Sequence, residues 1–191
     1  MSSILLDGPA VEPVSLAEAK AYLRVEHEDD DDTIAALIAG ARIHVEAQTR
    51  RALITQTWRL SRDAWPVNGR IAVLPAPLRE LAAVRIYKLD GSTQAIDVAA
   101  FAADKTSAPA VLAFERGALP APGRVAGGIE LDIEVGYGDA SSDVPEPLRQ
   151  AIRVLVAHWY ENRGLIAAGQ GVAVLPDSAN ALIKPYRVLS L

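Results

Sequence analysis

The sequence contains no cysteine among its 191 residues. This excludes disulfide bonds, thiol nucleophiles and thiolate metal sites, so the fold must rest on side-chain packing. Apolar runs are also short, and none approaches the roughly 20 residues that a membrane-spanning helix needs. The N-terminus has no basic stretch before its brief apolar run, unlike a secretory signal peptide. These absences predict a protein that is made in the cytoplasm and does not contact a membrane.

Basic residues are fewer than acidic ones, with 19 Lys and Arg against 24 Asp and Glu and a net charge of −5. The broad basic surface that binds phosphate groups without sequence preference is therefore not expected. Aromatic residues make up only 5% of the chain. They are scattered and not interleaved with Lys and Arg, so they do not form the pattern of a base-stacking platform.

The N-terminal part of the chain has the pattern of two helices. Ser15 and Glu18 have the spacing of a capping box, which predicts a helix over residues 16–24. An acidic run at residues 26–32 follows, where carboxylates would complement the positive end of the next helix. Apolar residues then recur at i, i+3, i+4 and i+7 over residues 34–45, which predicts a second helix with one packed face.

A third helix is predicted near the other end of the chain. Pro145 and Pro147 are tolerated only in a first helical turn, so this helix should run from there to Asn162. Its broad apolar stripe needs partners, and the N-terminal helices are the long candidates. Ser178 is expected to cap a last short helix that ends before Pro185.

Between the helices the hydrophobic period changes from helical spacing to alternation. Asp90-Gly91 lies between two alternating runs, which is a strong hairpin signal. Residues 129–135 alternate so strictly that one face should be buried and the other should carry carboxylates. About six short antiparallel strands are predicted, which favours a small sandwich or barrel.

Together these patterns predict an α+β fold in which N- and C-terminal helices form a small helical bundle, with an antiparallel β-sandwich or barrel-like domain inserted between them in the chain and an extended C-terminal tail. Residues 1–54 are assigned to the N-terminal helical part, 55–140 to the inserted β domain, and 141–164 to the C-terminal bundle helix. Residues 165–191 are assigned to a linker, a short helix and an extended tail. The Gly- and Ala-rich stretch 165–177 is expected to be mobile.

The sequence offers no catalytic, cofactor-binding or metal-binding constellation. The acidic run lacks the spacing of a calcium-binding EF-hand loop, so it is interpreted as a solvated patch at a helix start. His27, His44 and His158 lie in no metal-binding or catalytic motif. His44 and His158 are expected to be structural histidines with satisfied hydrogen bonds.

Enzyme chemistry has one weak candidate on the predicted β domain. Asp132 and Glu134 lie on one face of a strand and could imitate the carboxylate pair of a glycosidase. Nothing in the sequence pairs them across a cleft. A serine nucleophile elbow and a phosphate-binding loop are both missing, so an enzyme is not expected.

Several stretches of the sequence carry a resemblance to a known family. They are residues 14–25 with the acidic run and helix that follow, 51–58, 135–139, 144–152, 157–161 and 181–187. Their order and spacing match over nearly the whole chain. In these stretches the sequence resembles the head–tail connector (adaptor) proteins of tailed phages and of phage-like gene transfer agents.

This resemblance implies a non-enzymatic structural protein of the virion neck, made in the bacterial cytoplasm and needing no cofactor. Such adaptors form a dodecameric ring beneath the portal protein of a filled capsid. The ring extends the DNA channel, through which DNA passes without sequence-specific binding, and offers a docking surface to a stopper or tail-completion protein. The partners implied are therefore the portal, the stopper and further copies of the chain, with no membrane.

Contact with the portal is expected at Leu182, Pro185, Tyr186 and Arg187. An apolar and aromatic anchor beside a guanidinium is a combination in which small interfaces concentrate binding energy. A second interpretation stays open, in which residues 181–186 pack back on their own bundle.

A different class of function also stays open. The chain could be a monomeric β-sandwich module that binds a sugar or peptide and carries helical decoration. Such a module would have an aromatic-lined groove and would need no ring partners.

Overall fold

The computed structural model describes residues 2–162 and 176–189 of the chain. It contains helices and antiparallel sheets, which confirms the predicted α+β class. The chain divides into two compact units, each built from separate stretches of sequence. The β-rich unit consists of Met1–Pro9, Thr55–Tyr137 and Val188–Leu191, and the helical unit consists of Ala10–Ile54 and Gly138–Arg187.

The helical unit contains four described α-helices and two 3₁₀ turns. The helices are α1 (Leu16–Leu23), α2 (Asp31–Thr49), α3 (Glu146–Glu161) and α4 (Asp177–Ile183), and the turns are Ser141–Asp143 and Lys184–Tyr186. Of the linker predicted over residues 165–177, Asp177 begins α4 and residues 165–175 lie outside the described part of the chain.

The predicted capping box of α1 is confirmed. The Ser15 hydroxyl accepts a hydrogen bond from the Glu18 amide at 3.2 Å, and the Glu18 carboxylate accepts one from the Ser15 amide at 2.9 Å. Helix α2 begins inside the acidic run, earlier than the apolar period indicated. Asp31 and Asp32 form its first turn, where their charges complement the helix dipole.

The core of the helical unit is formed where α2 packs against α3, with α1 packing on both helices. The predicted apolar stripes supply fully buried side chains on the two long helices. These are Ile34, Ile38, Ala41 and Val45 from α2, and Leu148, Ala151, Ile152, Leu155 and Val156 from α3. Helical spacing therefore located the packed faces of both helices.

The described part of the β-rich unit contains eight strands in two antiparallel sheets. The five-stranded sheet has the order β1 (Ser2–Asp7), β2 (Gln56–Arg62), β8 (Ile129–Val135), β4 (Leu78–Tyr87), β5 (Thr93–Ile96). The three-stranded sheet has the order β3 (Arg70–Val73), β7 (Ala110–Phe114), β6 (Phe101–Asp104).

The barrel alternative was wrong, because neither sheet closes on itself within residues 2–162 and 176–189. After β5 the chain passes through a 3₁₀ turn at Val98–Ala100 and joins the second sheet, leaving β1 and β5 as the edges of the first. Strand β1 itself was not predicted. Its sequence has three consecutive apolar residues and lacks the alternation of apolar and polar residues that indicates a strand.

The alternation predicted for β8 is confirmed, and it defines an inner and an outer face of the five-stranded sheet. Ile129, Leu131, Ile133 and Val135 are all fully buried on the inner face. The residues between them carry carboxylates on the outer face. Buried side chains from both sheets supply the core of the β-rich unit, among them Leu60, Ile71, Val73, Val84, Ile86 and Leu112.

Candidate assembly interfaces

The C-terminal segment expected to bind the portal begins with α4. This helix starts at Asp177, so Ser178 is not its cap and Pro176 occupies the N-cap position. Helix α4 packs against α3 and α2, and Ala179 and Ile183 are fully buried. One face of the segment is therefore committed to its own unit, as the second interpretation of residues 181–186 required.

Side-chain hydrogen bonds tie the end of this segment to α4, to α2 and to the residues just after α2. Arg51 Nε donates to the Tyr186 carbonyl oxygen at 2.7 Å. Arg187 Nη2 donates to Asn180 Oδ1 at 3.0 Å and to Gln48 Oε1 at 3.3 Å. The two guanidinium groups fix the backbone path on which the other predicted contact residues lie.

The four predicted portal contacts therefore differ in their surroundings. Pro185 is exposed, Leu182 and Tyr186 are half-buried, and all three present surface to solvent. Arg187 is half-buried, and its guanidinium already has two acceptors. Leu182, Pro185 and Tyr186 are called the C-terminal patch below. Arg187 is suited to position that patch.

A cluster of charges ties the start of α1 to α3. Arg149 Nη2 contacts Glu18 Oε1 at 2.5 Å, and Arg153 Nη2 contacts the same oxygen at 3.5 Å. Arg149 Nε also donates to the Pro13 carbonyl oxygen at 3.0 Å. The hydrogen bond from the Ser15 amide, together with both guanidinium groups, lowers the pKa of Glu18 in spite of its partial burial. Glu18 therefore serves both as a cap and as an ion-pair partner.

The carboxylates on the outer face of β8 are paired with arginines. Arg59 makes a bidentate contact with Asp132, with atoms 2.7 and 3.0 Å apart, and Arg85 also contacts Asp132. Glu130 lies 3.1 Å from Arg85, and Glu134 lies 2.9 Å from Arg79.

This pairing argues against a glycosidase site at Asp132 and Glu134. Burial raises the pKa of Asp132, but hydrogen bonds from Arg59 and Arg85 outweigh it and leave the pKa below its usual value. A general acid needs a raised pKa. Asp132 is held ionised, and Glu134 is also ion-paired, so the face serves to join strands.

The acidic run at residues 26–32 is mostly exposed surface. Asp31 pairs with Lys20 at 2.5 Å, and Asp30 accepts a hydrogen bond from Tyr160. The remaining carboxylates of the run, those of Glu26, Glu28, Asp29 and Asp32, belong to exposed residues. In the described ranges, the structure has no group of three or more acidic or histidine residues that could hold a metal ion.

The histidines of the long helices lie beside aromatic or polar neighbours. The His44 ring meets Trp159 edge-on, with ring centroids 6.0 Å apart. His44 Nε2 is buried and has no hydrogen-bond partner among the described residues, so the prediction of a satisfied His44 was wrong. His158 Nδ1 lies 3.4 Å from the Asn162 side-chain nitrogen.

The helical unit also has an open groove of about 530 Å³. Its walls include Val11, Val14, Leu16 and Ile38. Glu12 also lines the groove, but its carboxylate is paired with Arg42 Nε at 2.8 Å. The groove is therefore a mainly apolar surface.

Strand β1 is a second apolar surface, and its pattern did not predict a strand. All six of its residues are exposed. The only sequence signal was the run Ile4-Leu5-Leu6, too short to predict an element. No described helix is long and apolar enough to cross a membrane.

Comparison with known proteins gives one family match. Residues 124–187 match the family model described as phage gp6-like head-tail connector protein. This region runs from the loop before β8 to Arg187 and therefore includes the C-terminal patch. No curated protein gives a significant sequence match.

Solved structures match the fold over almost the entire chain. A chain from the virion of a native gene transfer agent (GTA) particle is 23% identical, with a TM-score of 0.83 over 100% of this chain and 97% of that one. A chain from the neck of an empty GTA particle, computed with C6 symmetry, is 24% identical, with a TM-score of 0.81 over 98% and 97%.

A third structure, the neck of a native GTA particle computed with C12 symmetry, contains a chain that is 25% identical. The TM-score is 0.78 over 98% of this chain and 97% of that one. Together with the family match, these structures confirm the resemblance to head–tail connectors that the sequence indicated.

Proposed function

We propose that this chain is a structural head–tail connector (adaptor) in the neck of a phage or phage-like particle, where its copies form a ring beneath the portal. The observation that carries this proposal is the match of 98% of the chain, at 25% identity, to a chain of a C12-symmetric neck. The C12 symmetry of that neck supports a dodecameric ring. The proposed role is non-enzymatic.

In this role the ring extends the DNA channel and docks the stopper or tail-completion protein. The exposed carboxylates of Glu26, Glu28, Asp29 and Asp32 support a channel function. A surface that repels phosphate groups lets DNA slide without sticking, whereas a basic surface would bind it. Sequence-specific DNA binding forms no part of the proposal.

The C-terminal patch is the proposed portal contact. Pro185 and the half-buried Leu182 and Tyr186 would supply apolar and aromatic surface. Arg187 would act indirectly, because its bonds to Asn180 and Gln48 hold the patch in place. Preorganisation of this kind reduces the entropy lost on binding.

Native mass measurement of the chain alone and with its particle's portal protein tests the proposal. We expect about one copy of the chain per portal subunit, and at least tenfold weaker binding for Pro185→Asp, whose carboxylate would be desolvated in the contact. Ser178→Asp is the matched control, because Ser178 is exposed on α4 outside the patch. Truncation after Ile183 should abolish binding, since it removes Pro185, Tyr186 and Arg187.

The outcomes separate the parts of the proposal. Binding that survives both Pro185→Asp and the truncation would keep the connector and reject the C-terminal patch. A chain that stays monomeric with the portal would reject the connector and favour the monomeric binding module. The packing of Trp65 against Phe101 and Phe114, with centroids 6.0 and 5.4 Å apart, disfavours that module, because these rings pack on one another and do not line a groove.

A further inference from the structure

Strand β1 exposes large apolar side chains in the described structure. Ile4, Leu5 and Leu6 are 56%, 45% and 40% exposed. Ile4 pairs in register with Arg59, which lies on the charged outer face of the sheet, whereas Leu5 pairs with Trp58 and faces the other side. A bulge between Leu5 and Asp7 leaves Leu6 outside the regular register. Apolar surface is thus exposed on both faces of one strand.

The edge of β1 is also open. Strand β1 is the last strand of its sheet, and no other strand in the described ranges pairs with its free side. Natural sheets protect such edges with Lys, Pro or inward-pointing charges. Strand β1 has none of these, and its one charged residue is Asp7 at the end. An unprotected apolar edge is a liability for a free monomer and suits a strand that is covered after assembly.

We propose that β1 is an intersubunit contact of the ring, covered by a neighbouring copy of this chain. This inference rests on the proposed ring function. In a ring, each copy meets its two neighbours through two different surfaces, so a patch on one side need not match itself. Permanent contacts between identical subunits are more apolar than other protein interfaces. The uncharged run Ile4-Leu5-Leu6 has that composition.

Strand β1 and the proposed portal contact lie in different units of the fold. Strand β1 belongs to the β-rich unit, whereas the C-terminal patch belongs to the helical unit. The two surfaces therefore share no residue, and a substitution in one leaves the residues of the other unchanged. This allows the ring contact and the portal contact to be tested independently.

Site-specific cross-linking identifies what covers β1. Since the chain has no cysteine, Leu5→Cys gives a single attachment point for a benzophenone maleimide. The labelled full-length chain is assembled with the portal and irradiated, and cross-linked peptides are identified by mass spectrometry. Val67→Cys is the control, because Val67 is an apolar residue of the same unit that is 93% exposed.

We expect the Leu5→Cys label to cross-link copies of this chain into a ladder of multimers. The Val67→Cys label should give at least tenfold less cross-linked multimer. Cross-links from Leu5→Cys to the portal alone, or none in an assembly that forms normally, would overturn the inference and leave the connector proposal standing. A wild-type chain that never assembles would reject both.

Substitution gives an independent readout of the same contact. Leu5→Lys should weaken self-association about ten- to a hundredfold, the effect of losing one buried leucine side chain. Leu5→Met should keep the affinity of self-association near that of the wild type, and Val67→Lys should leave this affinity unchanged. An unchanged circular dichroism melt shows that each variant is folded. Normal ring assembly by folded Leu5→Lys would overturn the inference.

Discussion

At the residue scale, Glu18 joins the cap of α1 to helix α3. It completes the capping box with Ser15 and pairs with Arg149 and Arg153 of α3. The N-cap residue of a helix, here Ser15, typically contributes about 1 kcal/mol, whereas each exposed ion pair contributes about 0.2–1 kcal/mol. Glu18 thus supports the cap that Ser15 provides, and its ion pairs fix how α1 sits on α3.

Glu18→Gln should lower the free energy of unfolding by about 0.5–1 kcal/mol at pH 7, because the amide keeps the capping hydrogen bond but cannot form ion pairs with the two guanidinium groups. The pKa of Glu18 is lowered in the folded protein. Its stabilisation is therefore complete above the unfolded pKa and is lost as the pH falls through the folded one. The difference between wild type and Glu18→Gln in urea unfolding should shrink steadily below about pH 4.5.

The matched control is Glu161→Gln, which changes an exposed carboxylate on α3. It should leave stability within about 0.5 kcal/mol of wild type at any pH. A stability difference for Glu18→Gln that stayed constant down to pH 2 would contradict the assigned ionisation of Glu18.

At the element scale, the turn before β3 is more constrained than the hairpin turn after β4. Gly69 has φ +68, and a Cβ added there would lie 2.6 Å from the Phe114 carbonyl oxygen. Gly69 also accepts a hydrogen bond from the Phe114 amide at 3.0 Å. Gly91 has φ +83, but an added Cβ would meet nothing within 4 Å. The two glycines share a backbone conformation and differ in steric surroundings.

Gly91→Ala should cost about 1–2 kcal/mol of unfolding free energy, the price of a left-handed conformation for an L-residue. Gly69→Ala should cost more, by about 1–3 kcal/mol, because the backbone of β7 must also move. Chemical denaturation of the two variants measures the difference directly. Equal losses of unfolding free energy in the two variants would show that the backbone at Phe114 moves away from the added methyl group at no cost.

Helices and strands could be predicted where a local pattern in their own residues indicated them. The Ser15 and Glu18 spacing located α1, the apolar stripe located the buried face of α3, and strict alternation located β8. Strand β1 could not be predicted, because its partner β2 lies about 50 residues away in sequence and its exposed residues show no period. The division of strands into two open sheets is likewise a long-range property, which local alternation does not encode.

The candidate interfaces were predictable to a smaller extent. The family resemblance directed attention to Leu182, Pro185, Tyr186 and Arg187. The bonds of Arg187 to Asn180 and Gln48 depend on the packing of α4 against α2, and no local pattern indicates them. The apolar run of β1 was visible in the sequence, but its exposure became evident only once its place at a sheet edge was known.

At the scale of the whole molecule, the balance of charge bears on how the proposed ring would treat DNA. The chain carries a net charge of −5. Four carboxylates, from Glu26, Glu28, Asp29 and Asp32, are exposed within one short run. Replacing all four by lysine changes the charge by 4 × 2 = 8 and gives a net charge of +3.

The wild-type chain should show no binding to a fluorescent duplex at physiological salt, with a dissociation constant weaker than about 10⁻⁴ M. The four-lysine variant should bind it, and its affinity should fall steeply as salt rises, because each phosphate contact releases counterions. Fluorescence anisotropy across a salt series measures both the affinity for the duplex and its salt dependence.

If the acidic run faces the channel, particles carrying the variant should also release DNA more slowly. Unchanged release with strong duplex binding would place the acidic run away from the channel and leave the connector proposal intact.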